Sequence, residues 1–366
     1  MHLLTSLSAH GWHPAAWRVS GTAAFGGVAP FKVMARLAER GGLDAVLLGL
    51  PATSDEGDNL HLDPLPLLGA LIGATERIGL CGYWPCDVAE PYHVARVFAT
   101  LDHMAGGRTG WIAGLAGPQA LAAKFQRLDL PATPADSAAR MVELIDVARQ
   151  LWDSWEDEGF VIDQATGTFA NPEKVHPIDH AGRFFTVRGP LNVPRPVQGQ
   201  PVILYRDGAP AEARAGVAAS AELVLADCAT LADAQARRQD WQALASKHGR
   251  PAGALRFIVR VMPILADTVA AAQKRAAELD GLARGSEALR FVGTADRFAS
   301  LMAEWHAAGA CDGFDIAPAV GSIDLAQVVD KVVPELRRLG LRPSGRAGQT
   351  LRAALGLQRA ASRFAA

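Results

Sequence analysis

The feature that most constrains this chain is a repeating alternation of two kinds of segment. Short apolar runs, often bounded by Gly or Pro, give way to Ala-rich stretches whose apolar residues recur at helical spacing. The runs are Leu3–Leu7, Asp44–Leu50, IGLCGYW, TGWIAGL, Pro201–Tyr205, LVLADC, LRFIVRVMPILA and DGFDIAP. Asp44–Leu50 has almost no polar residue inside it, as suits a strand buried on both faces of a parallel sheet. Phe31–Gly42 shows the other kind of segment, an apolar stripe closed by a double-glycine stop. Near the carboxyl end, TADRFASLMAEWHAAGA and the helix before it flank what reads as a short connection.

Eight strand–helix steps in one chain predict a closed (β/α)8 barrel, an α/β TIM-type fold, rather than an open sheet. A doubly wound sheet would announce a glycine-rich nucleotide turn after its first strand. Here Leu7 is followed by SAHGWHPAAWR, and neither GxGxxG nor GxxxxGK occurs. Residues 1–341 are expected to form one barrel domain, and residues 342–366 a tail outside the repeat. The repeat breaks over residues 158–200, rich in Pro, Gly, Asn and Asp, which reads as an irregular excursion before the fifth strand.

Charge and cysteine usage exclude several function classes. Lys and Arg total 36 against 38 Asp and Glu, so no basic surplus points to nucleic acid or to an anionic membrane. No apolar run reaches transmembrane length, and the N-terminus lacks the pattern of a secretory signal. Cys81, Cys86, Cys228 and Cys311 make no disulfide framework for a chain of 366 residues. A reducing cytoplasm is expected, with ordinary thiols and no metal site: the pair in CGYWPC lacks a second pair or a His cluster to complete one.

Long ordered motifs carry a family resemblance. They are HPAAWR (His13–Arg18), LAERGGLDAVLL, LDPLPLLGALIGATERIGL, EPYHVARVFATLDHMAGGRTGW, DHAGRFFTVRGPLNVPRPVQGQPVI, VVPELRRLGL and TLRAALGL. In content and order the chain resembles the bacterial luciferase-like flavin-dependent monooxygenases, in the branch of nitrilotriacetate and dibenzothiophene-sulfone monooxygenases. The resemblance implies oxygenation of a small organic substrate by reduced FMN that a separate flavin reductase supplies. The cofactor would carry the reactivity, and the protein would bind, orient and shield it. A homodimer, or a heterodimer with a homologue, is also implied.

Chemistry in such a barrel sits at the carboxyl ends of the strands. The resemblance places His13 there as the candidate catalytic residue. Leu50, Tyr83, Ile112, Arg206, Gly208 and Ala209 stand at its cofactor-facing positions. Four of these differ from the family pattern. Leu50 replaces an acidic residue, Tyr83 a threonine, Ile112 an asparagine, and Ala209 stands near a serine. Apolar or bulky groups thus stand where hydrogen-bonding groups are usual, and each buried polar group of a ligand left unpartnered costs about 1–3 kcal/mol. Gly208 and Ala209 still offer backbone N–H groups, and Arg206 a charge, to an anion at a helix start. Two readings follow: an FMN-dependent monooxygenase with a remodelled pocket, or a flavin-free relative serving as a partner subunit or ligand-binding barrel.

Overall fold

The apolar runs form strands because β-branched and aliphatic residues fill both faces of a pleated surface that is covered on each side. In the computed structural model, which describes residues 1–21, 27–50, 62–115, 133–208, 211–283, 289–342 and 349–364, the strands are β1 (His2–Ser6), β2 (Ala45–Leu48), β3 (Gly79–Pro85), β4 (Thr109–Gly114), β5 (Phe160–Asp163), β6 (Thr168–Ala170), β7 (His180–Ala181), β8 (Thr186–Val187), β9 (Val202–Arg206), β10 (Leu223–Ala226), β11 (Arg256–Leu265), β12 (Arg290–Gly293) and β13 (Gly313–Ile316). The helices are α1 (Ala16–Val19), α2 (Ala29–Gly41), α3 (Pro64–Ile72), α4 (Pro91–Met104), α5 (Pro134–Asp153), α6 (Ala211–Ala218), α7 (Leu231–Lys247), α8 (Val269–Leu282), α9 (Ala295–Ala307), α10 (Gly321–Gln327), α11 (Val333–Arg338) and α12 (Leu351–Ala354). A π-helical turn, Val328–Val332, joins α10 to α11. β1, β2, β3, β4, β9, β10, β11 and β13 are the staves of an eight-stranded parallel barrel, the fold class expected from the alternation.

Local sequence writes the helix starts. Asp63 accepts from the Leu65 N–H ahead of α3, Thr133 from Asp136 ahead of α5, Thr230 from Asp233 ahead of α7, and Thr268 from Ala271 ahead of α8. Pro follows the cap at α3 and α5, where its missing N–H leaves no bond unmade. α2 buries Phe31, Met34, Ala35, Ala38 and Gly41, one stripe at helical spacing.

The chain divides into two compact units. The first holds Met1–Tyr83 and Glu222–Gly348. Within it β1 lies between β2 and β13, β13 pairs in turn with β11, and β11 also pairs with β10, all in parallel. β12 joins the upper half of β11 through Met262–Leu265. It occupies the short connection expected between two helices, so that segment is a strand. At the amino ends, buried Asp44 accepts from the Leu3 N–H at 2.7 Å and from Arg342 at 2.6 Å.

The second unit holds Trp84–Ala221 and Gln349–Ala366, with β4 and β9 paired in parallel. The excursion over 158–200 is not wholly irregular. It contains two small antiparallel hairpins, β5–β6 and β7–β8. Its later part is clamped by Glu143 of α5, which accepts from the Phe184 and Phe185 N–H groups and lies 3.1 Å from His180 Nε2. The framework motifs meet at Asp102, the buried last-turn residue of α4. Its carboxylate accepts from Thr109 Oγ1 at 2.9 Å, Gln198 Nε2 at 2.7 Å and the Gln198 N–H at 3.2 Å. Arg352 of α12 donates its N–H to Gln198 Oε1 at 2.8 Å, so the described part of the tail is built into this unit. Thr109 opens β4, which puts the network at the stabilising amino face of the strands.

Candidate active site

In the first unit, the chain leaving β1 is laced to the chain leaving β13. Trp12 N–H donates to the Pro318 carbonyl at 2.8 Å and His13 N–H to that of Ala319 at 3.1 Å. Gly11 permits this approach. Its φ is +127°, and a Cβ there would lie 2.3 Å from the Ala319 carbonyl oxygen. The lacing carries His13 into a buried position, 2% exposed.

Both ring nitrogens of His13 are engaged. Nδ1 accepts from the Ala15 N–H at 3.2 Å, which places the proton of the neutral ring on Nε2. Nε2 faces Asp280 Oδ1 at 3.2 Å, and Asp280 is paired to Arg290 at 2.8 Å. Burial lowers the pKa of His13 below the ordinary 6.5 and outweighs the opposing pull of Asp280, with the Arg290 charge acting in the same sense as burial. At neutral pH the ring is therefore an uncharged tie between the β1 loop and the end of α8.

Because the folded value is depressed, the stability this ring contributes is present above pH 6.5 and is lost as pH falls through the folded value. His13→Gln is expected to cost about 1–2 kcal/mol near neutrality and to flatten the pH dependence below about 6.5. Thermal midpoints of both proteins across that range check it. An unchanged slope in the variant would assign the pH dependence elsewhere.

Beneath this loop the strands carry an ionic layer. Arg260 of β11 stands in register with Asp315 of β13, and its Nε lies 3.5 Å from the carboxylate. Ser6 Oγ donates to Asp315 at 2.6 Å. The guanidinium of Arg260 lies 4.1 Å over the Trp12 ring, and the Trp12 indole N–H returns to the Ser6 carbonyl at 2.8 Å. Burial raises the pKa of Asp315, opposed by Arg260 and by the Ser6 hydrogen bond and reinforced by the charge of Asp227. Barrel interiors are usually filled by Val, Ile and Leu, and a buried ion pair is weak evidence for stability. The layer instead fixes Trp12 as a rigid aromatic wall above β1.

Leu50 follows β2 and is buried, and Tyr83 lies half-buried toward the end of β3. In the second unit Ile112 lies within β4 and is fully buried. Its neighbour Trp111 packs on Phe98 of α4 and Trp152 of α5, so strand alternation turns Ile112 to the opposite, inner face. Arg206 ends β9 half-buried. Asp207 follows with a fully buried side chain, paired to Arg214 of α6 at 2.9 Å. Gly208 is exposed at φ +141°, with no atom within 4 Å of where a Cβ would stand. Ala209 lies outside the described residues.

Sequence reasoning passed over Arg214, Arg260, Asp280, Arg290 and Asp315. Charged residues in the middle of LRFIVRVMPILA and DGFDIAP were the available signal, since a strand buried on both faces has no solvent for them. All four cysteines are free and buried, and burial pushes the Cys86 and Cys311 thiols up to about 12, so these two are unreactive at neutral pH.

The model of the family "Luciferase-like monooxygenase" matches residues 8–341. The chain belongs to that family. It is 30% identical to the N-acetyl-S-(2-succino)cysteine monooxygenase of Bacillus subtilis (strain 168), in an alignment covering 98% of this chain and 97% of the relative. It is 31% identical to the dibenzothiophene-sulfone monooxygenase of Rhodococcus erythropolis, with 90% and 89% covered. The solved EDTA monooxygenase of Chelativorans sp. BNC1 superposes with a TM-score of 0.86 at 26% identity, with 98% of each chain covered. The expected family, branch and oxidoreductase class are borne out. The segments of this chain that carry the resemblance contribute to the Asp102 and Glu143 networks of the second unit.

Proposed function

We propose that this chain is the oxygenase of a two-component, FMN-dependent monooxygenase acting on a small organic substrate. The observation that carries the reading is similarity over nearly the whole chain to proteins named as monooxygenases. When bound, reduced flavin supplies the electrons that activate oxygen, and a separate flavin reductase delivers it. Leu50 and Tyr83 in the first unit are assigned to the cofactor. In the second unit Ile112, Arg206, Gly208 and Ala209 are assigned to it. Leu50 is apolar and nearly fully buried, and Ile112 has no exposed surface. His13, fixed by Ala15 and Asp280, acts by positioning the β1 loop, and the Arg260–Asp315 layer holds Trp12 as a wall that excludes water.

The flavin-free reading draws on the same apolar residues, which offer the ring's polar edge no donors. Anaerobic titration of the purified chain with FMN and with dithionite-reduced FMN separates the two. Saturable binding of reduced FMN, followed by substrate-dependent product when a flavin reductase and NADH are added, is the expected result. Absence of binding in both redox states would leave the partner-subunit reading in its place. Light scattering of the same sample tests assembly with a second copy.

A further inference from the structure

We propose that the first unit carries a further binding site, beside the β1 loop, for an uncharged and largely apolar molecule with one hydrogen-bonding group. A cavity of about 280 Å³ opens there between the chain leaving β1, the first turns of α2 and the start of α10. Pro30, Val33 and Met34 of α2 line it, and so do Val320 and Ile323. Val33 and Ile323 are 57% and 49% exposed, and because they share one cavity they form an apolar patch rather than isolated surface residues. Trp12, His13, Leu50 and Tyr83 are not among the described residues that line it, so the cavity is separate from the site described above.

The lining sets the class of ligand. No Asp, Glu, Lys or Arg stands among the described residues of the wall, so an ion would leave water without a counter-charge, which is costly. The polar side chains that line it are His10, Ser20 and Ser322, and His10 Nδ1 lies 3.0 Å from Ser20 Oγ. A hydroxyl both donates and accepts, so this pair suits an alcohol, a phenol or a carbonyl oxygen. An apolar cavity of roughly 150 Å³ takes one benzene ring, so this one has room for two fused rings. The site also bears on the β1 loop. Val320 belongs to the buried cluster of Ala15, Met262, Ile264 and Ala319 against which Trp12 packs. His10 precedes Gly11, and the next two residues are laced to Pro318 and Ala319. An occupant therefore braces the loop that holds Trp12 and His13.

The test titrates the full chain, free of flavin, with 2-naphthol and with 2-naphthoate at neutral pH, read by calorimetry. One equivalent of 2-naphthol is expected to bind with a dissociation constant below about 1 mM, and 2-naphthoate at least about tenfold more weakly. Ala29 lines the cavity and is exposed at the first position of α2, so Ala29→Phe fills the void from its rim and is expected to remove that equivalent. Ser20→Ala is expected to weaken 2-naphthol by about fivefold, the loss of one hydrogen bond. Absence of saturable binding would overturn the proposal. So would 2-naphthol binding unchanged in a folded Ala29→Phe, which would place the molecule elsewhere, or 2-naphthoate binding as tightly as 2-naphthol. Where Ala29→Phe does not fold, Ser20→Ala decides, and an unchanged affinity in that variant counts against the site.

Discussion

Asp102→Ala is expected to lower the unfolding free energy by about 3–5 kcal/mol, enough to leave much of the protein unfolded at growth temperature. The carboxylate is fully buried and gathers the Thr109 hydroxyl, the Gln198 amide and the Gln198 N–H on its two oxygens. Removing it strands these donors where water does not reach, and each costs about 1–3 kcal/mol. Gln198 in turn holds the Thr109 carbonyl and, through Oε1, the Arg352 N–H. The deletion therefore loosens α4, β4, the chain entering β9 and the tail at once. Asp102→Asn should cost less than half as much. Burial pushes the Asp102 carboxyl above the ordinary 3.8 despite its donors, so an uncharged amide suits the site better than a void. Urea midpoints by circular dichroism compare the three proteins. An alanine variant within 1 kcal/mol of wild type, roughly the net worth of one hydrogen bond, would show that the network is not what holds this unit.

The fold was legible because its signal is long-range. Each apolar run needs only hydrophobicity and length, and the eight runs reinforce one another. What escaped was short or paired. β12 is four residues, RFVG, between two helices, too brief for a period to show. The hairpins of the excursion have strands of two to four residues, held by Glu143 and by Asp163 at the β5–β6 turn rather than by an apolar face. The candidate site divides the same way. His13, Leu50, Tyr83, Ile112, Arg206 and Gly208 were placed by the family resemblance, at or near the carboxyl ends of strands that the alternation had located. Asp315 and Arg260 lie more than fifty residues apart, and no local pattern says that they meet. The neutral state of His13 depends on Ala15 and Asp280, one adjacent and one distant, and is a property of the fold alone.

Removing residues 349–366 is expected to prevent the second unit from folding, although these residues read in the sequence as a tail. Leu351 and Leu355 are each 1% exposed, and burying two leucines contributes about 3–6 kcal/mol. The polar losses add to this. Gln198 loses the Arg352 N–H, the Gln200 carbonyl loses the Arg352 guanidinium, and Arg195 loses the Ala360 carbonyl. Arg195 stays buried against Asp153 at 3.1 Å, but Asp157 then keeps only one of the two arginines that flank it. The half-exposed Arg359–Asp157 contact is the part acid can reach. Arg359 is the largest cause that lowers the Asp157 pKa to about 2, with burial opposing and Arg195 assisting. A depressed carboxylate stabilises above its ordinary 3.8 and loses that contribution as pH falls through about 2, so acid should weaken the anchoring of the tail and, with it, the second unit. Limited proteolysis between about pH 4 and 2 should therefore cut within the second unit, the carboxyl-terminal residues included, before the first. The truncated chain should aggregate on expression, and a soluble truncated protein with an unchanged thermal midpoint would mean that the second unit closes its core without these residues.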